Sequence, residues 1–155
     1  MIDLIHIKKF FSKEECNNMI NLHKINFDKT INFRGTNVLI IDNLDPHLLK
    51  LVSFLKERKN IELNYGQIVQ WPNGTFQSTH KDGTEKTENQ AVCICYLNDD
   101  YVGGRTKIND EYVEPKTGDF VFFNSKEIPH SVEKVGGKRY TLICWYHYKK
   151  KINFY

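Results

Sequence analysis

The chain has 155 residues, of which 40% are hydrophobic and 13% aromatic, enough to bury the core of one ordered domain and too few for a second. Its 22 basic and 19 acidic residues give a net charge of +3 with no basic cluster that would predict a nucleic-acid surface. No apolar segment approaches the ~18 residues of a membrane span, and the N-terminus lacks a signal-peptide pattern. We therefore expect a single cytoplasmic domain over residues 1–155, with no membrane or nucleic-acid partner.

The first sixty residues are expected to be helical and to form a support over about residues 10–60. Ser12 followed by Glu15 is a capping box, which predicts that a helix begins there. A second helix is expected from about Asp45 to Lys59, because its leucines and valine recur at helical spacing. One apolar stripe of that helix should pack on a sheet.

From Ile61 onward the pattern changes to short apolar runs separated by glycine and proline. The runs span residues 61–71, 91–97, 105–108, 119–123, 128–135 and 139–148. Helices followed by many short strands predict a mostly β protein with N-terminal helices. The expected fold is a double-stranded β-helix, that is, a cupin-like jelly roll with its core at about 61–148.

Four cysteines, Cys16, Cys93, Cys95 and Cys144, show neither CxxC spacing nor a dense disulfide framework. Cys93 and Cys95 lie two apart in an apolar run, so they share one face of a strand. Zinc binding at this pair is an alternative to two buried free thiols. Reduced, structural cysteines are the expectation, as in a cytoplasmic protein.

A candidate metal site is formed by His80, Asp82 and His130. On an extended strand His80 and Asp82 project from the same face, whereas His130 follows fifty residues later and could join them only through the fold. Two imidazoles and one carboxylate on one face of a metal are typical of non-haem Fe(II) oxygenases. The other histidines, His6, His23, His47 and His147, are expected to be packing or surface residues.

Arg139 is a candidate anchor for an anionic co-substrate. Residues 130–135 and 138–148 are predicted to form a hairpin around Gly136-Gly137, with residue 130 opposite 143. This register puts Arg139 on the face of His130, roughly 13 Å along the sheet at about 3.3 Å per residue. A guanidinium could hold the far carboxylate of a five-carbon diacid that chelates the metal at its other end.

Beyond this pattern, the chain resembles the prolyl 4-hydroxylase branch of the Fe(II)/2-oxoglutarate oxygenases from about residue 65 to 148. The segments that carry the resemblance are His80-Lys81-Asp82, Cys95 to Asn98, Gly103 to Thr106, Glu114 to Asp119 with Phe123, and His130 to Trp145. The Arg nine residues after the second His is more similar to the oxygen-sensing prolyl hydroxylases than to the collagen type.

The resemblance implies a role for each matching residue. His80, Asp82 and His130 would bind Fe(II), Arg139 and Tyr96 would hold the distal carboxylate of 2-oxoglutarate, and Thr106 and Trp145 would line the same pocket. O2 is the second co-substrate, and ascorbate is a further candidate cofactor. Trp71 departs from the family pattern, because relatives often carry a tyrosine there.

The implied activity is hydroxylation of prolyl residues in a peptide or protein, with release of succinate and CO2. Asp82 favours hydroxylation over halogenation, because halogenating relatives leave that ligand position vacant. Three alternatives remain: hydroxylation of a free amino acid or a lysyl side chain, demethylation of nucleic-acid bases, and a catalytically silent jelly roll that only binds a ligand. The demethylase branch carries a second arginine at the position of Trp145, which disfavours it.

Overall fold

The computed structural model describes residues 4–83 and 88–150, in which a large β-sheet is covered by helices on one face and by a smaller sheet on the other. The helices are α1 (Lys13–Ile25) and α2 (Pro46–Lys56), with a 3-10 turn at Phe27–Lys29. The strands are β1 (Leu4–Ile7), β2 (Ile31–Phe33), β3 (Thr36–Ile41), β4 (Ile61–Trp71), β5 (Gln77–His80), β6 (Ala91–Tyr96), β7 (Val102–Gly103), β8 (Thr106–Ile108), β9 (Glu111–Val113), β10 (Phe120–Phe123), β11 (His130–Val132), β12 (Val135–Gly136) and β13 (Arg139–Tyr148).

All strand pairs in the described residues are antiparallel. The large sheet has the order β1-β10-β6-β13-β4-β3-β2, the smaller sheet β5-β11-β8-β9, and β12 pairs with β7. This arrangement confirms the predicted mostly β jelly roll backed by N-terminal helices.

Two hydrophobic clusters lie on opposite faces of the large sheet. On β13, Leu142, Cys144 and Tyr146 join the cluster beneath the helices, whereas Ile143 joins the cluster between the sheets and Trp145 packs against it. This alternation follows from the two-residue period of a strand. The central strands are apolar on both faces because each face is covered.

Both predicted helices are present. The capping box of α1 is formed, with the Ser12 hydroxyl accepting from Glu15 N and the Glu15 carboxylate accepting from Ser12 N, both at 3.0 Å. Asp45 caps α2, whose first residue is Pro46. Helix α2 ends at Lys56 rather than near Lys59, and the amide groups of Arg58 and Lys59 close the last turn on the carbonyl of Leu55.

The expectation of an all-helical first sixty residues is wrong, because three strands lie there. β1 extends the large sheet beside β10, and β2 and β3 form a hairpin at its other edge. Arg34 and Gly35 turn this hairpin with positive φ values of 52° and 85°, the backbone of a tight two-residue turn. The stretches were missed because they are short and because an Arg-Gly turn is a weaker sequence signal than Asn-Gly.

The predicted hairpin between residues 130–135 and 138–148 is also wrong. β11 pairs with β5 and β8 in the smaller sheet, whereas β13 pairs with β4 and β6 in the large one. Residue 130 is therefore not the partner of residue 143. Gly136 and Gly137 carry the chain from one sheet to the other, a connection that sequence spacing cannot distinguish from a hairpin turn.

None of the described helices is long and apolar enough to cross a membrane.

All four cysteines are free and buried. Cys93 and Cys95 lie in the cluster beneath the helices, on the face of β6 opposite to Tyr96. Burial raises the pKa of the Cys93 and Cys144 thiols well above its ordinary value, so both thiols stay protonated. These thiols fill the core, and the described residues give no support for zinc there.

The double variant Cys93→Ala with Cys95→Ala is expected to lose roughly 1–3 kcal/mol of unfolding free energy, because two buried sulfur atoms leave small cavities. It should bind Mn(II) as the unsubstituted protein does, since neither thiol faces the metal site. Urea unfolding and a Mn(II) titration measure the two quantities. Loss of Mn(II) binding in a folded double variant would show that the ligands have been assigned to the wrong residues.

Candidate metal centre

Three candidate ligands converge at the end of the smaller sheet. His80 and His130 are direct partners across β5 and β11, with ring centroids 4.3 Å apart. Asp82 follows two residues after His80, just beyond the strand, and its Oδ1 lies 3.2 Å from the Nε2 atom of each histidine. One ligand atom from each residue lies within 4.8 Å of the other two. The structure thus brings together the three residues predicted from the sequence.

Hydrogen bonds to the backbone orient both imidazole rings. His80 Nδ1 lies 2.7 Å from the carbonyl oxygen of Ser78, and His130 Nδ1 lies 2.9 Å from that of Ile128. A carbonyl only accepts, so each Nδ1 carries the proton and each Nε2 of a neutral ring keeps a lone pair. Metal-binding histidines are usually oriented in this way, by a hydrogen bond from the ring nitrogen that does not bind the metal.

Asp82 is held as a carboxylate. Burial raises its pKa, but hydrogen bonds from His130 and His80, whose Nε2 atoms donate when the rings are protonated, outweigh that effect and hold the pKa well below its usual value. The hydrogen bond with Asp82 in turn raises the pKa of His80. The Asp82 backbone N–H also donates to the carbonyl of Ser125 at 2.8 Å, which fixes the chain after β5. The result is an anionic centre with two nitrogen ligands, the donor set that divalent transition metals prefer.

The three residues open into a cavity of about 660 Å³ between the two sheets. A cavity of this size can hold a small ligand with part of a larger one. Its inner walls include Val69, Trp71, Thr106, Arg139, Ile143 and Trp145. Three of the residues predicted to surround a co-substrate, Thr106, Arg139 and Trp145, therefore face the same space as the metal ligands.

Arg139 is fully buried at the start of β13. Its guanidinium carbon lies 4.6 Å from the Trp71 ring centroid and 5.7 Å from that of Tyr96, so two aromatic rings contact the cation. Its Nη2 donates to Thr106 Oγ1 at 3.2 Å. Gly104 leaves room for it, since a Cβ there would lie 3.2 Å from Arg139 Cδ.

The guanidinium keeps unused donors. Its Nε and Nη1 are buried and have no hydrogen-bond partner among the described residues. A buried cation with free N–H groups is costly unless an anion completes it. The pocket therefore fits a carboxylate-bearing ligand that enters from the cavity.

Tyr96 differs from Thr106, Arg139 and Trp145 in its position relative to the cavity. It is fully buried, is not part of the cavity wall, and has its hydroxyl 2.6 Å from Thr106 Oγ1. Burial raises the Tyr96 pKa, so the phenol stays protonated. Its hydroxyl is hydrogen-bonded to that of Thr106, and its ring packs against the guanidinium of Arg139.

Two contacts of the site were not predicted from the sequence. Trp145 Nε1 donates to Asp82 Oδ2 at 3.2 Å, so Trp145 contacts the metal centre itself. Trp71 pairs with Arg139 across β4 and β13, and its Nε1 donates to Thr141 Oγ1 at 3.1 Å. Knowing the pairing of β4 with β13 would have revealed the Trp71 contact, but no local pattern specifies that register.

Comparison with known proteins gives a family match. The model of the 2OG-Fe(II) oxygenase superfamily matches residues 63–147, more than half of the chain, a range that includes the candidate ligands and Arg139. A comparison with curated protein sequences gives no match.

Solved structures share the fold at low sequence identity. A Pseudomonas putida prolyl-4-hydroxylase aligns with a TM-score of 0.80 and 18% identity, over 97% of this chain and 95% of its own. The viral collagen prolyl hydroxylase of Paramecium bursaria Chlorella virus-1, in complex with 2-oxoglutarate, aligns with 0.76 and 20% identity over 95% and 96%. A Trichoplax adhaerens prolyl hydroxylase bound to a peptide of hypoxia-inducible factor aligns with 0.75 and 16% identity over 93% and 83%.

The Trp145→Phe variant is expected to bind Mn(II) about 10- to 100-fold more weakly, because the ring remains but the N–H donor to Asp82 is lost. Trp71→Phe is the matched control: it removes an indole N–H from the same cavity without touching a candidate ligand, and its Mn(II) affinity should be unchanged. Anaerobic calorimetry of both variants measures the effect. Equal Mn(II) affinities in the two variants would mean that the Trp145 contact does not order Asp82.

Proposed function

Because the chain belongs to the 2OG-Fe(II) oxygenase superfamily, we propose that it hydroxylates prolyl residues of a peptide or protein. Members of this family use Fe(II), 2-oxoglutarate and O2. The observation that carries the proposal is one cavity that holds both the His80, Asp82 and His130 group and a buried arginine with unused donors.

Fe(II) would be held by His80 Nε2, His130 Nε2 and an oxygen of Asp82, the facial arrangement of two imidazoles and one carboxylate. With 2-oxoglutarate and O2, bound iron supplies the oxidant: one oxygen atom enters the substrate C–H bond, the other enters succinate, and CO2 leaves. Trp145 leaves Asp82 Oδ1 free for the metal by engaging Oδ2.

Arg139 would bind the distal carboxylate of 2-oxoglutarate. Its free Nε and Nη1 groups can donate two hydrogen bonds, and its charge is permanent. If Thr106 Oγ1 accepts from Arg139 and from the protonated Tyr96, its own hydroxyl proton is left to donate to the same carboxylate.

Apolar side chains keep the reacting part of the cavity dry. Val69, Ile143 and Trp71 line the cavity that Arg139 shares with the metal ligands, and none exposes more than 8% of its surface. Excluding water strengthens the ionic contacts there and protects a reactive oxygen from side reactions.

A prolyl substrate is supported by the structures that share the fold, of which one is a collagen prolyl hydroxylase and another holds a peptide of hypoxia-inducible factor. We further propose that the whole chain acts as one domain, since the helices and the jelly roll share the cluster beneath the large sheet.

With Fe(II) and 2-oxoglutarate, the protein is expected to add one oxygen atom to Pro-containing peptides and to form one succinate per oxygen added. Peptide mass spectrometry and succinate measurement read the two products. His80→Ala and His130→Ala should abolish both products while circular dichroism stays unchanged, because two remaining ligands cannot hold the metal in a reactive geometry. Full turnover after complete removal of iron would refute this assignment.

Arg139→Ala is expected to weaken 2-oxoglutarate binding by roughly 2–5 kcal/mol, about 30- to several-thousand-fold, because a desolvated carboxylate loses its partner. Arg139→Lys should recover only part of the affinity, since an ammonium lacks the fork geometry. Anaerobic calorimetry with Mn(II) in place of iron measures the affinity, and Mn(II) binding alone should change far less. An unchanged 2-oxoglutarate affinity in Arg139→Ala would place the co-substrate elsewhere.

A further inference from the structure

The charges around the cavity are unevenly distributed. Besides the two histidines, the charged side chains that line it among the described residues are Arg34, Lys81 and Arg139 on the positive side and Asp82 alone on the negative side. Asp82 is already engaged by His80, His130 and Trp145. The described walls therefore offer no free carboxylate to a cationic ligand.

Arg34 lines the cavity and is available to contact a bound substrate. It occupies the turn between β2 and β3 with φ of 52°, and its guanidinium carbon lies 5.2 Å from the centroid of the Phe33 ring. Within the described parts of the chain it has no ion-pair partner. Lys81 is exposed on the same cavity, between the two ligands His80 and Asp82.

Beside Arg34 the hairpin presents an apolar surface. Ile31, Phe33 and Ile40 line the cavity yet remain 59%, 54% and 58% exposed. Large apolar side chains left this open at the entrance of a binding site gain free energy when a partner covers them. A single amino acid that reaches the metal centre is too small to cover this surface as well, whereas a peptide chain is long enough.

We propose that the substrate is an internal peptide segment with an acidic residue close to the target prolyl residue, and that Arg34 determines this preference. The inference rests on the proposed function and specifies its substrate. The acidic side chain pairs with the guanidinium of Arg34, and the apolar surface beside it covers the flanking residues.

The same charges disfavour the two alternative substrates. A free amino acid carries an ammonium group, and so does a lysyl side chain. Either group would enter a cavity in which Arg34 and Lys81 repel it and whose one described carboxylate is occupied. Burying an unpaired ammonium costs several kcal/mol, more than an apolar contact can offset. A prolyl residue inside a peptide has no charge to bury.

The test uses three capped peptides that differ only beside the proline, with Asp, Ala or Lys at that position. The Asp peptide is expected to have a KM about twofold to fivefold lower than the Ala peptide, the range of a partly exposed ion pair. The Lys peptide should be the poorest substrate. The advantage of Asp should shrink at high salt, where partly exposed charges are screened.

Exchanging the charge gives the sharper result. Arg34→Glu should reverse the order and favour the Lys peptide, while Arg34→Gln should make the three peptides nearly equal. Arg58→Gln is the matched control, because Arg58 follows α2 on the helical side and does not line the cavity. Its peptide order should match that of the unsubstituted protein.

Anisotropy of the same peptides, labelled, with Mn(II) and 2-oxoglutarate under anaerobic conditions separates the two levels of the proposal. Binding that follows the charge order without oxygen transfer would contradict prolyl hydroxylation and retain the acidic preference. Oxygen transfer at equal KM for all three peptides, unchanged in Arg34→Glu, would overturn the role of Arg34 and leave the hydroxylase intact. Faster hydroxylation of free proline or of a lysyl peptide would overturn the peptide preference itself.

Discussion

The site is built around a buried arginine whose hydrogen bonds are not completed by the described residues. Arg139 is fully buried, and two of its nitrogen atoms lack partners among the described residues. Contacts with Trp71 and Tyr96 and one hydrogen bond to Thr106 offset part of the cost of burying its charge. A bound anion would offset more of this cost, so the free energy of folding and the affinity for the co-substrate depend on the same side chain. Gly104 and the packing of Trp71 serve to keep this cation in place.

Much of the architecture could be predicted from the sequence because its signals are local. The capping box at Ser12 and Glu15 and the proline at the start of α2 act within one helical turn. Strands β4 and β13 begin and end at the predicted residues, because turn residues bound long apolar runs. β1 and the β2–β3 hairpin were missed because strands of three to six residues derive their stability from neighbours distant in sequence.

The residues of the site were predicted better than the pairing used to reach them. The wrong hairpin still turned Arg139 toward the metal ligands, because side chains alternate along β13 whatever strand lies beside it. It could not show that His130 belongs to the opposite sheet, facing β13 across the cavity. The contacts of Trp145 with Asp82 and of Trp71 with Arg139 join residues 63 and 68 positions apart, and only the folded chain defines such pairs.

The alternation of side chains along β13 gives the two helices a role in the site, although they lie on the opposite face of the large sheet from the cavity. Its residues alternate between the cluster beneath α1 and α2 and the cavity that contains Arg139. A slip of one residue against β4 would turn Arg139 toward the helices and Leu142 toward the cavity. The apolar side chains of α1 and α2 pack against the face that carries Leu142 and Cys144. A slip would bury the charge of Arg139 among them, so the slipped register has a higher free energy. The helices thus stabilise the correct register of β13 against β4. This register determines which side chains line the cavity, although neither helix contributes a ligand to it.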